Sequence, residues 1–586
     1  MAKNKKFGKI VNWVIVVWLL LMPFFWKFSL SVANSDYYDS FSMATLAPIH
    51  IVIFFVLIFA SIYLNGFSLW PLLLLGLYFP FVQLVNYPYF TIRDVFLGAG
   101  ASERIVANGH LVSAPYQSTA LSEPFLDAAW PGTYFAQGIF MEVTGLGVIA
   151  SNYVLYLCIM ITVLLVIYSF SVLLSRNNYS LGWASALIFL PLFFNYIFDN
   201  FHLYSRTAFA FTLYFLFILV FMRFETRSGL LLSSILAVAT IISHPFNSLA
   251  LIVFVLAYAL LMGKDRSKTI SFAFLLVTMF LAWMLFQTGT SSLFAATISR
   301  FNTFLSTEFT TPLVQSLSVL QPVPWWGLLL RNYFKYVLGT LLGAAFLACA
   351  FVFFKLKIRT KVCAGLMAIL VSAAIMLVSL LLLPDWNIAR FTAFAAFPAA
   401  FSSLVLLAEL RRNRTIKRFL DFVGKRAIIA LLLIFILSFS VGSMVLRFES
   451  NHYYGELYHP SEMTSLSFFF SSTNSSRENS NLTIVSWRTY IYSIYFNYNY
   501  QYNVSMVWVA DLVKFAGNST ALLNEYAQDI NESQFVLRGM RDTYTIISPP
   551  SYNQTVLENI DQVMLMPTFD QIYSNGNYQL FAKEGT

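Results

Sequence analysis

At 586 residues, with 58% hydrophobic, 18% aromatic and only 11% charged residues, the chain is far more apolar than a water-soluble globular protein, in which about 25% of residues are charged. Its net charge of +9 comes from short basic runs between apolar stretches of spanning length, as the positive-inside rule describes, so no nucleic-acid-binding face is expected. The three cysteines, Cys158, Cys349 and Cys363, all lie in apolar segments, which leaves none for a disulfide or a Cys-based metal site outside a membrane.

In chain order, the Lys-rich start MAKNKKFGK leads into an apolar run, and no small-residue cleavage site follows LLLMPFFWKF. It is therefore read as a retained first transmembrane helix. Runs long enough to cross a bilayer as helices recur at 10–30, 46–64, 67–86, 147–172, 181–199, 207–222, 229–245, 247–262, 270–287, 333–354, 363–383, 391–408 and 427–446. The chain is thus expected to be an α-helical polytopic membrane protein of about thirteen spans, with its termini on opposite sides.

The basic residues set the orientation. With a cytoplasmic N-terminus, the inner segments hold the Lys and Arg of 3–9, 176, 223–227, 264–268, 355–361 and 411–426. Lys27, Arg93, Arg104, Arg206, Arg300, Arg331, Lys335 and Arg390 fall at outward ends or loops, the minority position. The sequons at Asn474, Asn481, Asn503, Asn518, Asn531 and Asn553 lie in the segment after Arg447 that this threading places outside. Asn178 and Asn413 fall in inner loops. The expected location is the cell membrane.

Residues 1–446 form the expected membrane domain, with large outward loops at 86–146 and 288–332; the latter mixes Phe, Trp and Leu with polar residues, as interfacial helices do. Residues 447–586 alternate strand-like runs (NLTIVSW, VSMVWVA, YTIIS, YQLFAKE) with helix-like runs (TALLNEYAQ, TVLENIDQVM). This predicts a small extracytoplasmic α/β domain.

Ionisable residues at membrane depth are costly and are candidates for function. From Phe41 to Ile92 there is no charged side chain, and then Arg93 and Asp94 stand together. Thr91 and Asp94 have capping-box spacing, so Asp94 is either a carboxylate at a helix start or a general base whose pKa an apolar boundary raises. Arg93 either reaches lipid headgroups or serves the same site. The loop continues with Glu103, Arg104, His110, Glu123, Asp127 and Glu142, and Gly109-His110 reads as an ordinary turn. His202 and Arg206 are spaced for one helix face, as interfacial anchors or site residues. His244 in ISHPFNS sits at the outward tip of a helical hairpin that Pro245 interrupts. Asp385 and Arg390 frame an outward turn, where an exposed ion pair is worth little. All share the outer side on this threading, so a polar cavity opening outward is the economical reading.

Several stretches then form a pattern: RDVFLGAGASERIVANGHL, WPGTYFAQGIFMEVTG, SHPFNSLAL, IARFTAFAAFPAA, EMTSLSFFFSST running into NLTIVSW, and the closing FDQIYSNGNYQLF. In order and spacing they resemble the GT-C class of membrane glycosyltransferases, in particular an archaeal branch related to protein mannosyltransferases and oligosaccharyltransferases. The resemblance implies an enzyme that moves a sugar from a polyprenyl-phosphate donor to a glycan or protein acceptor on the outer face, among membrane lipid. It assigns the base to Asp94, in an inverting displacement. Arg93, Arg206 and Arg390 are candidates for the carrier phosphate, with Glu103, His110 and His244 as further substrate-binding candidates. The acidic loop here follows the third apolar run, where the best-known members have it after the first. No WWDYG signature is present, so transfer of a whole glycan to asparagine is disfavoured. No cofactor is implied, and a divalent metal stays open because carboxylates occur without a ligand spacing. The alternative is a transporter or flippase of polyprenyl-linked sugars, which calls for inverted repeats and broken helices that are not evident here.

Overall fold

A computed structural model of the chain describes residues 8–21, 40–65, 69–86, 93–109, 130–174, 183, 186, 204–223, 227–262, 266–286, 347 and 361–382, and strand segments between 482 and 583. The helices are α1 Gly8–Leu21, α2 Ser40–Asn65, α3 Leu69–Asn86, α4 Arg93–Asn108, α5 Gly132–Thr144 and α6 Val148–Leu174. They continue with α7 Arg206–Arg223, α8 Arg227–Ser243, α9 Pro245–Met262, α10 Arg266–Phe286 and α11 Lys361–Leu382. All but α4 and α5 coincide with expected apolar spans. The spans 391–408 and 427–446, nearly all of 333–354, most of 181–199 and the loop 288–332 lie outside the described residues.

Among the described residues, Val148–Phe170 is the stretch both long and apolar enough to cross a membrane, and the remaining apolar stretches are shorter. Hydroxyls on these helices bond their own backbone one turn back: Thr212 to Ala208 O at 2.8 Å, Thr240 to Leu236 O at 2.7 Å and Ser233 to Gly229 O at 2.8 Å. These residues are buried, and the bond pairs a hydroxyl that the packed interior would otherwise leave unmet.

The helices pack in overlapping pairs. Phe54 of α2 stacks on Tyr78 of α3 at 4.0 Å between ring centroids, and Ser61 of α2 bonds Asn12 of α1. Gly76 admits Leu164 of α6, and Gly365 of α11 admits Met222 of α7. Ser372 of α11 donates to Ala250 O of α9 at 2.8 Å. Phe217, Phe221, Phe254, Tyr258 and Phe272 form an aromatic centre between α7, α9 and α10. Large apolar side chains also face outward, including Leu231 at 64% and Leu285 at 86% exposure.

The sequence reading treats 86–146 as a loop with an ordinary turn at Gly109. In the structure this segment holds α4 and α5. Gly109 is the left-handed end of α4, with φ 73° and its N–H donating to Ile105 O at 2.8 Å, the backbone state glycine adopts without strain. These helices escape an apolar-span reading because α4 carries Arg93, Asp94, Glu103 and Arg104 within sixteen residues.

Toward the C-terminus, β1 Leu482–Ser486, β2 Val504–Trp508, β3 Phe535–Gly539, β4 Phe569–Ser574 and β5 Tyr578–Lys583 form one sheet in the order β2-β1-β3-β5-β4. β1 is parallel to β2 and β3, while β3-β5 and β4-β5 are antiparallel. Strands β1, β2 and β5 fall on expected runs. β3 and β4 add to them, their Arg538 and Asp570 interrupting the apolar pattern that marks a strand. The YTIIS run and both expected helices of this segment lie outside the described residues.

Candidate functional site

The two unanticipated helices fix the site. Gly98 of α4 lies against Tyr134 of α5, Ser102 against Gln137, and Ile105 against Gly138. The numbers rise together, so α4 and α5 run parallel. Small residues allow the approach: a Cβ on Gly98 would stand 2.9 Å from the Tyr134 ring, and one on Gly138 3.3 Å from Ile105. A buried polar ladder locks the register. Ser102 Oγ donates to Gly98 O at 2.8 Å and bonds Gln137 Oε1 at 3.0 Å. Gln137 Nε2 donates to Ser151 Oγ at 3.2 Å and Val148 O at 3.3 Å, tying both helices to the start of α6.

Asp94 is the second residue of α4, about 6 Å along the axis before Gly98. The parallel register therefore puts the Arg93-Asp94 end of α4 at the same end of the pair as Trp130-Pro131-Gly132-Thr133, the entry to α5. That entry is built into a wider junction. Thr133 O accepts from the Tyr204 hydroxyl at 3.0 Å. Asn152 of α6 brackets the Tyr204 backbone, accepting from its N–H at 3.1 Å and donating to its carbonyl at 3.1 Å. Burial holds the Tyr204 phenol well above its ordinary pKa, so it stays a donor. Ser205 Oγ then accepts from Ala208 N–H at 3.2 Å, which caps α7 and sets Arg206 as its first residue.

The turn between α8 and α9 closes the junction. Pro245 occupies the first position of α9, where its missing N–H is no loss. His244 is buried, and its Nδ1 accepts from Phe246 N–H at 3.2 Å. That acceptor role assigns the neutral ring's proton to Nε2, which lies 3.4 Å from Thr207 Oγ1. Asn247 Nδ2 reaches Thr207 O at 3.5 Å. Gly132 sits on Ile242 and Ser243 with no room for a Cβ.

The N-termini of α5, α7 and α9 thus meet in one place, and the parallel register sets the start of α4 at the same end of α5. Helices α5, α7 and α9 have no acidic residue in the first turn, and α7 opens on a cation, while α4 opens on Arg93 and Asp94 together. A helix N-terminus carries partial positive charge and exposed N–H groups, so this convergence favours an anion.

Of the predicted residues, the backbone positions of Arg93 and Asp94, together with Arg206 and His244, come to this junction. Glu103 does not: it stands nine residues beyond Asp94, about 13 Å down α4. It is half-buried, and burial raises its carboxyl above the usual range. His110 and Arg390 lie outside the described residues, as do His202 and Asp385. The single helix face expected for His202 and Arg206 is not present among the described residues, because α7 begins at Arg206 and Tyr204-Ser205 is not helical. No group of three His, Cys, Asp or Glu that could hold a metal occurs among the described residues.

Sequence reasoning missed Asn152, Tyr204, Thr133, Gln137 and Asn247. The available signal was an uncharged amide in an apolar run, as in VIASNYVLY and HPFNSLAL. Such groups need partners when buried, and here the partners lie far off in sequence.

Similar solved structures include the crystal structure of ArnT from Cupriavidus metallidurans in the apo state, at 12% identity and a TM-score of 0.44, over 87% of this chain and 97% of that one. The crystal structure of ArnT from Cupriavidus metallidurans bound to undecaprenyl phosphate gives 11% identity and a TM-score of 0.46 over the same shares. No protein-family model and no curated protein matches the sequence.

Proposed function

We propose that the chain is a membrane glycosyltransferase of the GT-C kind that moves a sugar from a polyprenyl-phosphate donor to an acceptor at the outer face. The observation that carries the reading is the meeting of the α5, α7 and α9 N-termini at the start of α7, where Arg206 is the first residue, at the end of α5 that the parallel register shares with the Arg93-Asp94 end of α4. Cations at helix N-termini oppose the macrodipole. An arginine opening a helix in this way suits a phosphate, which its guanidinium can bind bidentately, and Asp94 stands beside Arg93 at the start of α4. The outward apolar side chains support a lipid setting for the helices. The N-terminus is read as cytoplasmic, residues 1–446 as the membrane domain, and 447–586 as an extracytoplasmic domain.

The chemistry is an inverting displacement. The Asp94 carboxylate takes the proton of an acceptor hydroxyl as that oxygen attacks the anomeric carbon. The bond from that carbon to the phosphate oxygen breaks, and the polyprenyl phosphate leaves with the electron pair. Arg206, Arg93 and the helix N–H groups stabilise its charge, with Arg390 as a further candidate.

The test is transfer from a labelled polyprenyl-phosphate sugar by purified protein. Asp94→Asn should lower transfer by about 100-fold or more while polyprenyl phosphate still binds. Arg206→Ala should weaken binding of the lipid phosphate itself. Unchanged transfer by Asp94→Asn removes the carboxylate from the mechanism. Binding with sugar translocation and no transfer by the wild type favours a flippase.

A further inference from the structure

We infer that Trp130, Thr133 and Asn247 form the part of this junction that recognises the sugar, and that they select an uncharged pyranose. The inference rests on the donor-binding reading above and adds a sugar class to it. All three side chains are sealed, at 1%, 2% and 0% exposure. Yet among the described residues Trp130 Nε1, Thr133 Oγ1 and Asn247 Oδ1 have no hydrogen-bond partner. Buried polar atoms in folded proteins are nearly always paired, and each exception calls for an explanation.

These three are not scattered. Trp130 and Thr133 stand at the entry to α5, and Thr133 O holds the Tyr204 hydroxyl. Asn247 lies in the first turn of α9, bonded to Thr207 O, while Thr207 faces His244. Gly132 presses on Ser243, next to His244. The amide orientation of Asn247 is set by Thr207 O, because a flip would put oxygen against oxygen. The junction therefore offers an unmet donor on Trp130, an unmet acceptor on Asn247, and a hydroxyl on Thr133 that can be either.

Only a group that both donates and accepts completes this set. A carboxylate or phosphate accepts alone and leaves Asn247 Oδ1 unmet. An ammonium donates alone and leaves Trp130 Nε1 unmet. Sugar hydroxyls do both, and the indole offers an apolar face to a pyranose ring; a charged substituent on that ring would be buried among these sealed, uncharged groups at high cost. Because the atoms are sealed, the sugar reaches them when the Trp130–Thr133 segment lifts from Ile242 and Ser243. The unmet polar atoms lower the penalty of that opening, since they gain partners by it.

The experiment measures binding to the full chain in detergent, using polyprenyl phosphate alone and polyprenyl phosphate linked to mannose, glucose, glucuronic acid or glucosamine. The neutral hexose lipids should bind about tenfold or more tighter than the bare lipid, with a smaller gain for the charged sugars. Thr133→Val should abolish that gain while melting at or above the wild-type temperature, because it removes an unpaired buried polar atom at nearly constant volume, and Trp130→Phe should abolish it too, at some cost in melting temperature from the smaller buried ring. A gain that survives both variants, or one largest for a charged sugar, overturns the inference and leaves the atoms to buried water. Failure of bare polyprenyl phosphate to bind overturns the donor reading instead.

Discussion

Asn152 is the residue through which the junction can be tested most directly. Its amide makes two bonds of 3.1 Å to the backbone of Tyr204, with both residues buried. Asn152→Ala leaves the Tyr204 N–H and carbonyl without those partners. A buried backbone group left unpaired costs roughly 1–3 kcal/mol, so losing two should destabilise the protein by about 3 kcal/mol. The same change frees the segment that aims Arg206, and a misplacement of about 1 Å near reacting groups costs roughly 100-fold in rate. Amide hydrogen exchange gives the local readout. A peptide covering Tyr204 to Thr207 should lose protection in Asn152→Ala, with a lower melting temperature. Asn152→Asp keeps an acceptor for the Tyr204 N–H but sets a carboxylate against its carbonyl, so it should not rescue. Unchanged exchange at Tyr204 together with an unchanged melting temperature would refute the bracket as a support of the site.

Two further substitutions probe α4. Burial raises the Glu103 carboxyl, so its contribution to stability is present below the unfolded value near pH 4.3 and is lost as pH rises through the raised folded value. Glu103→Gln should therefore be the more stable form at neutral pH, with the difference vanishing below about pH 4; melting curves that run parallel across this range contradict the assignment. Gly98→Ala places a Cβ 2.9 Å from the Tyr134 ring and should destabilise by about 1–3 kcal/mol. Adding Tyr134→Leu should recover part of that loss, and a strictly additive double mutant would show that the two do not meet.

Spans such as Arg206–Arg223 and Pro245–Met262 were legible in the sequence because a run of apolar residues needs no partner's identity to declare itself a helix of this kind. The same holds for β1 and β2, whose Leu482–Ser486 and Val504–Trp508 are short β-branched runs. His244 was legible as the break before Pro245. The charged start of α4 was also visible, and either reading of Asp94, cap or base, suits its position at a helix end.

Other features depend on pairings that no local pattern encodes. Thr133 meets Tyr204 across 71 residues, and Asn152 meets Tyr204 across 52. Neither amide nor hydroxyl announces its partner, because hydrogen bonding requires only a complementary group at the right distance. Apolar runs and the charges that interrupt them mark the helical segments before any packing is known. The tertiary structure decided that α4 and α5 run parallel, through glycines 98 and 138 and the Ser102–Gln137 bond. That register sets the Arg93-Asp94 end of α4 at the same end as the α5 entry, which Tyr204 joins to the start of α7, since close backbone approach and buried polar pairing arise only once distant segments pack.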